Sequence, residues 1–308
     1  MKKLIIKLFL LCALVILPIL GYSKLADVAT AKYDGINTAD QIRESFKNAV
    51  GKDHNCYFLG NSRIYRDIDP DCFTHVSAYN FGHDNDSYNQ MYYKLLYLLD
   101  HGENVEHLVI GTDYFQFSFL SDTRNYVYNN LFPAEYRADY GDLSEIEIKK
   151  DYFVRLWSNK QNALLACLRY VLGRPKPEHV KMLKENGQYL VYGQADPEEI
   201  VDRDYTVMDI QYRYFRKIIA CCEEHDIDLY VIMPPLSEGE IKTHTDEERQ
   251  VFDTMILREL EGTPYRGHYH NYRNEKGLLP YTEFIDATHL KPDAAQRYST
   301  FLNAEIFE

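Results

Sequence analysis

Apolar residues in this chain fall into short strand-forming runs that end in glycine or proline, and most are followed by stretches with apolar positions three and four apart. Cys56-Tyr57-Phe58-Leu59 is the first run. Val76 to Gly82 and Val105 to Gly111 read as the second and third strands, with an amphipathic helix from Ser87 to Asp100 between them that turns Met91, Leu95 and Leu98 or Leu99 inward. A helix from Val207 to His225 leads into the β-branched run Ile227 to Met233, which Pro234-Pro235 ends. A helix from Thr245 to Glu261, a short strand His268 to Tyr272 and a helix from Pro292 to about Phe301 complete the series. Helix, short turn and β-branched run are the repeating unit of a parallel sheet.

Two stretches depart from that alternation. Residues 24 to 50 read as a connector leading into a helix that begins at Thr38-Ala39-Asp40, with Ile42, Phe46 and Val50 at helical spacing. Residues 116 to 205 read as a partly helical insertion or cap after the third strand, with one helix from Tyr152 to Leu172 terminated by Gly173-Arg174-Pro175-Lys176-Pro177. Its tyrosines, among them Tyr126, Tyr128, Tyr136 and Tyr140, have the apolar face and polar tip that stack on sugar rings. Tyrosine is abundant throughout, at 27 residues, so ordinary packing is the safer expectation.

The N-terminus sets the compartment. Met1-Lys2-Lys3 and Lys7 precede an apolar run from Leu8 to Leu20, and flanking positive charges of this kind stay inside. Residues 1–23 are therefore expected to be a signal or membrane anchor, with the uncleaved anchor favoured, and residues 24–308 an extracytoplasmic domain in the periplasm or at the cell surface. Leu11 before Cys12 is not the small residue that a lipoprotein signal expects.

A formal net charge of -13 argues against a nucleic-acid surface, which needs a basic stripe. Small ester or sugar substrates fit better. Cys56, Cys72, Cys167, Cys221 and Cys222 form no compact disulfide framework, and only Cys56 with Cys72 is a pair to test. Cys221, Cys222 and His225 share a helical face, but Ile218, Ile219 and Ala220 around them favour buried thiols over a metal. His268 and His270 share a strand face without a third ligand. Asp67, Asp69 and Asp71 lack the glycine and later glutamate of a calcium loop and read as solvated. No metal or cofactor is expected.

Chemistry enters at Gly60-Asn61-Ser62. A strand that ends in small residues delivers a serine to the carboxyl edge of the sheet, where open α/β sheets hold ligands. That serine needs a base, and the base needs a carboxylate to fix its tautomer. Asp286 and His289, three residues apart, can supply both, and His289 is the only one of 11 histidines with an aspartate three positions before it.

Gly60-Asn61-Ser62 together with Asp286-x-x-His289 before the last helix resembles the SGNH (GDSL-like) hydrolase superfamily. Within it, the likeness is to membrane-anchored members acting on acyl groups of cell-envelope polymers, such as the D-alanyl-lipoteichoic acid and alginate O-acetylation proteins. It covers most of residues 52 to 120 and 205 to 305. The resemblance implies a three-layer α/β/α sandwich with a central parallel sheet and a Ser62–His289–Asp286 triad. It further implies an esterase or O-acyltransferase reaction on acylated polysaccharide, with a multispanning membrane O-acyltransferase as partner. Gly82 matches the glycine whose amide, with that of Ser62, holds the oxyanion. Where the family carries an asparagine donor this chain has Asp113, which must be protonated, point elsewhere, or meet the polar head of the substrate. Asn80 or Asn85 is then the candidate for the missing donor. The rival is a silent SGNH-like module that binds a glycan or scaffolds a membrane complex.

Overall fold

The computed structural model describes residues 2–33, 38–141, 144–175, 182–192, 206–243, 245–273 and 283–308. In chain order the elements are α1 (Lys2–Tyr33), α2 (Thr38–Asn48), β1 (Cys56–Leu59), α3 (Ser62–Asp67), β2 (Ala78–Asn80), α4 (Tyr88–Asp100), β3 (His107–Gly111), α5 (Asn125–Tyr128) and α6 (Ala134–Ala138). They continue with α7 (Glu145–Asn162), α8 (Leu164–Val171), β4 (Met182–Leu183), β5 (Tyr189–Leu190), α9 (Asp209–Glu224), β6 (Asp228–Met233), α10 (Glu238–Lys242), α11 (Asp246–Leu260), β7 (Tyr269–Asn271) and α12 (Pro292–Phe307).

Five strands form one sheet in the order β2-β1-β3-β6-β7, every neighbouring pair parallel. Alternation along each strand divides the core in two. Tyr57, Leu59, Leu108, Ile110, Leu229, Val231 and Met233 face a large cluster that includes Phe46 of α2, Met91 and Leu95 of α4, Ile218 of α9 and Ile256 of α11. Cys56, Phe58, Val109 and Ile232 face a smaller cluster with Ile64 of α3 and Tyr298 and Leu302 of α12. The result is a three-layer α/β/α sandwich, as the chain pattern and the resemblance lead one to expect. Local signals set several boundaries: Ser87 and Thr245 begin α4 and α11 with capping boxes closed by Gln90 and Glu248.

The departures lie at the N-terminus and in the insertion. Residues 24–33 are not a connector but continue α1 as one helix from Lys2 to Tyr33. The expected helix at 152–172 starts earlier, at Glu145, and breaks at Ala163 into α7 and α8. The insertion goes to three places. Tyr126, Tyr128 and Tyr136 are buried in the large cluster with Phe132, which corrects the sugar-stacking option for them. Ala163, Ala166 and Cys167 pack on Ala26 and Ala29 of α1. The β4–β5 hairpin lies against α3, with Tyr189 stacked on Tyr65 at 5.0 Å. The last part of the insertion, 193–205, and Lys176-Pro177 of the expected stop signal lie outside the described residues.

All six cysteines are free, so Cys56 and Cys72 are not bridged. The three aspartates are not a solvated loop. Asp67 and Asp69 are buried, Asp69 pairs with Lys184 at 2.7 Å, and Lys184 also reaches Asp71 at 2.8 Å. His268 and His270 both pack near Tyr230, His268 stacking on its ring at 4.7 Å. Among the described residues no group of three His, Cys, Asp or Glu is placed to hold a metal.

Candidate active site

The chain leaves β1 for one edge strand, β2, and returns on the other side of β1 as β3, so the sheet reverses its direction of growth between β1 and β3. That reversal opens a crevice at the carboxyl ends of the strands. Ser62 stands there as the first residue of α3. Two glycines allow the close approach: a Cβ on Gly60 would lie 2.3 Å from Cγ1 of Ile64, and one on Gly111 would lie 2.2 Å from the same atom. Ile64 thus fills the space between the ends of β1 and β3. Asn61 caps the helix, its Oδ1 accepting from the Arg63 amide at 3.0 Å while its Nδ2 donates to Gln116 at 2.9 Å. As the first helical residue, Ser62 has an amide with no intrahelical acceptor, and it points out of the helix start.

The loop before α12 carries Asp286 and His289. Phe284 and Leu290 form an antiparallel bridge, the Ile285 amide donates to the carbonyl of His289 at 2.8 Å, and Ser237 Oγ donates to that of Ala287 at 2.6 Å. A buried carboxyl then ties this loop to α3, because Asp67 Oδ1 accepts from the Leu290 amide at 3.0 Å. Burial raises the pKa of Asp67 well above the carboxylate range, against the opposing effects of that bond and of Arg63.

With both segments fixed, His289 Nε2 lies 2.7 Å from Ser62 Oγ. Its Nδ1 lies 2.9 Å from each oxygen of Asp286. Asp286 Oδ1 also accepts from the amides of Thr288 at 2.8 Å and His289 at 2.9 Å. Burial works to raise Asp286, but the bond from His289, its charge and the Thr288 bonds outweigh it and hold the carboxyl well below its usual range. Burial lowers the pKa of His289, and Arg66 and Arg63 lower it further against the pull of Asp286. A neutral imidazole between an ionised carboxylate and a hydroxyl can accept the hydroxyl proton and hold the resulting charge.

The expected oxyanion and substrate residues sit differently. Asp113 is fully buried and faces Arg63, 2.8 Å from its Nε, while Glu240 lies 3.2 Å from Nη2 of the same arginine. It is therefore an anchor beneath the serine turn rather than a group facing substrate. The Gly82 amide donates to Asn80 Oδ1 at 3.1 Å. Asn80 in turn spends its amide on the carbonyls of Ile64 and Ile68, at 2.7 and 2.9 Å, and so is no free donor. Asn85 occupies a left-handed turn with φ 64°. Gly82 does belong at the crevice, since a Cβ there would come within 3.1 Å of the Gly60 carbonyl.

The residues that sequence reasoning passed over are charged ones. Arg66 Nη1 lies 3.4 Å from His289 Nδ1, and the same guanidinium holds Asp84 at 2.8 Å, with Arg124 3.6 Å from the other oxygen of that carboxylate. Its helical spacing, four residues after Ser62, was the available signal. Arg63 carried no such signal, because a buried arginine is uncommon and its acid partners come from distant segments.

No family model and no curated protein matches the chain. Among solved structures, it is similar to a Streptococcus pneumoniae protein bearing the provisional name platelet activating factor, at 11% identity and a TM-score of 0.41, over 87% of this chain and 91% of that one. A likeness of that degree says nothing about chemistry.

Proposed function

We propose that the chain is a serine-dependent ester hydrolase or O-acyltransferase of the SGNH type, acting through an acyl-enzyme on acyl groups of cell-envelope polysaccharide. The observation that carries this reading is the continuous line from Ser62 Oγ through His289 to Asp286, with contacts of 2.7 and 2.9 Å. Ser62 Oγ attacks the ester carbonyl as its proton passes to His289 Nε2, and the tetrahedral oxyanion forms against the Ser62 amide. Collapse breaks the ester C–O bond, His289 returns the proton to the leaving alcohol, and the acyl group stays on Ser62. Water or a sugar hydroxyl then attacks by the same steps in reverse. Asp286 stays ionised and steadies the imidazolium.

Helix α1, the one described helix long and apolar enough to cross a membrane, supports the anchored extracytoplasmic part of the reading. A polysaccharide hydroxyl as acceptor and a multispanning membrane O-acyltransferase as partner follow from the resemblance. The engagement of the Gly82 amide by Asn80 favours a second reading, an SGNH-like module that binds acylated glycan without turning it over. Labelling of the full-length protein with a fluorophosphonate separates the two. Reaction at Ser62, lost in Ser62→Ala and His289→Ala, supports the enzyme. A folded wild type that resists the probe and binds glycan supports the module.

A further inference from the structure

Helix α1 is 32 residues long, or about 48 Å at 1.5 Å per residue. A bilayer hydrocarbon core of about 30 Å takes about 20 of them. No charged residue falls between Lys7 and Lys24, so the apolar part ends at Tyr22 to Lys24 and the last turns of α1 stand above it. It is there that α8 packs. Its small face, Ala163, Ala166 and Cys167, lies on Ala26 and Ala29, with Tyr22 and Leu25 closing the contact. The opposite face carries Leu164, Leu165, Leu168, Val171 and Leu172, each more than half exposed.

Charge distinguishes this apolar face from an ordinary unfilled contact. From Ala163 to Pro175, the described stretch that holds α8, the only charged residues are Arg169 and Arg174, within a protein of net charge -13. Trp157 of α7 and Tyr170 of α8, aromatic residues suited to a headgroup layer, are part-exposed. An apolar face flanked by cations, joined to a spanning helix at the level where that helix leaves the hydrocarbon, has the composition and the position of an interfacial helix.

We propose that α8 lies in the interfacial layer of an anionic bilayer beside α1, its leucine face toward the acyl chains, as a second membrane contact of the folded domain. This rests on the reading of α1 as an anchor. Two attachments fix orientation as well as distance. A single helix lets the domain swivel, whereas α8 holds one side of it down.

The test uses the full-length chain reconstituted in vesicles of phosphatidylcholine and phosphatidylglycerol, with and without bromine on the acyl chains. Trp157 is the only tryptophan, so Trp157→Phe gives a dark background. Into it are placed Leu168→Trp and, separately, Val171→Trp on the α8 face, and Leu14→Trp on α1. The expected result is blue-shifted emission from all three, with most of the intensity lost in brominated vesicles. Quenching at Leu14→Trp but at neither α8 position overturns the inference, leaves the anchor standing and gives that face to water or a protein partner. Absence of quenching at all three removes the anchor reading and the inference with it.

Discussion

Asp67 holds the amide of Leu290 at 3.0 Å, and this bond, beside the contacts of Ser62 and Arg66 with His289, joins the helix that carries Ser62 to the loop that carries His289. The bond bears on the Ser62–His289 contact without touching either side chain. Asp67→Asn keeps an acceptor of the same shape and should leave both stability and labelling nearly unchanged. Asp67→Ala strands a buried amide at a cost of about 1–3 kcal/mol, visible in urea unfolding, and slows fluorophosphonate labelling by loosening His289.

Asp286→Asn should slow hydrolysis of a chromogenic acetate ester by about four orders of magnitude, because the amide favours the wrong imidazole tautomer. Ser62→Ala should fall at least as far, and the double variant no further than Ser62→Ala alone, since the residues act as a unit. Additive losses in initial-rate measurements would mean that Asp286 acts elsewhere.

The rate should depend on a neutral His289. Burial and the nearby arginines depress its pKa, so the acid limb of the kcat/KM profile should lie below the ordinary histidine value of about 6.5. Arg66→Gln removes one of those cations, raises the pKa of His289 and moves the acid limb to higher pH. A plateau change without movement of the limb would assign Arg66 to substrate binding alone.

Lys94 is fully buried, paired with Asp86 and 2.7 Å from His83 Nδ1. Burial outweighs its partner and pushes the ammonium down to about 8. Lys94→Met leaves Asp86 buried without its counter-charge and should cost about 3–5 kcal/mol in denaturant unfolding. Replacing both members by apolar residues should recover much of that loss.

His83 gives the molecule an acid sensitivity away from the triad. Burial, then Lys94 and Arg124, holds its pKa well below the ordinary histidine value of about 6.5. Above pH about 6.5 the ring is neutral in both folded and unfolded chains and contributes nothing. Below it the unfolded chain takes up a proton that the folded one refuses, so stability falls as pH falls. His289 acts with the same sign. His83→Gln should flatten the curve of melting temperature against pH on its acid side.

The strands and the two chemical segments were legible because their signals are local. Cys56 to Leu59 reads as a strand from four residues, and Asp286 and His289 are related by a spacing of three. The order β2-β1-β3-β6-β7 adds where such a strand end must lie. What was not legible depended on distant partners. Which of its three options Asp113 takes is set by Arg63, a residue fifty positions away in the chain, and the engagement of the Gly82 amide is set by the side-chain conformation of Asn80. The insertion helix breaks at Ala163, a residue packed on α1, and no periodicity within the insertion points to that contact.

Ser62 and His289 are separated by 227 positions, with the serine just after the first strand and the histidine just ahead of α12. A ribosome therefore releases the serine long before its partner exists. Until the segment carrying His289 has been made, the Ser62 hydroxyl has no imidazole beside it. On the proposed reading, the order of the two segments delays activation of Ser62 until the loop before α12 has folded against α3.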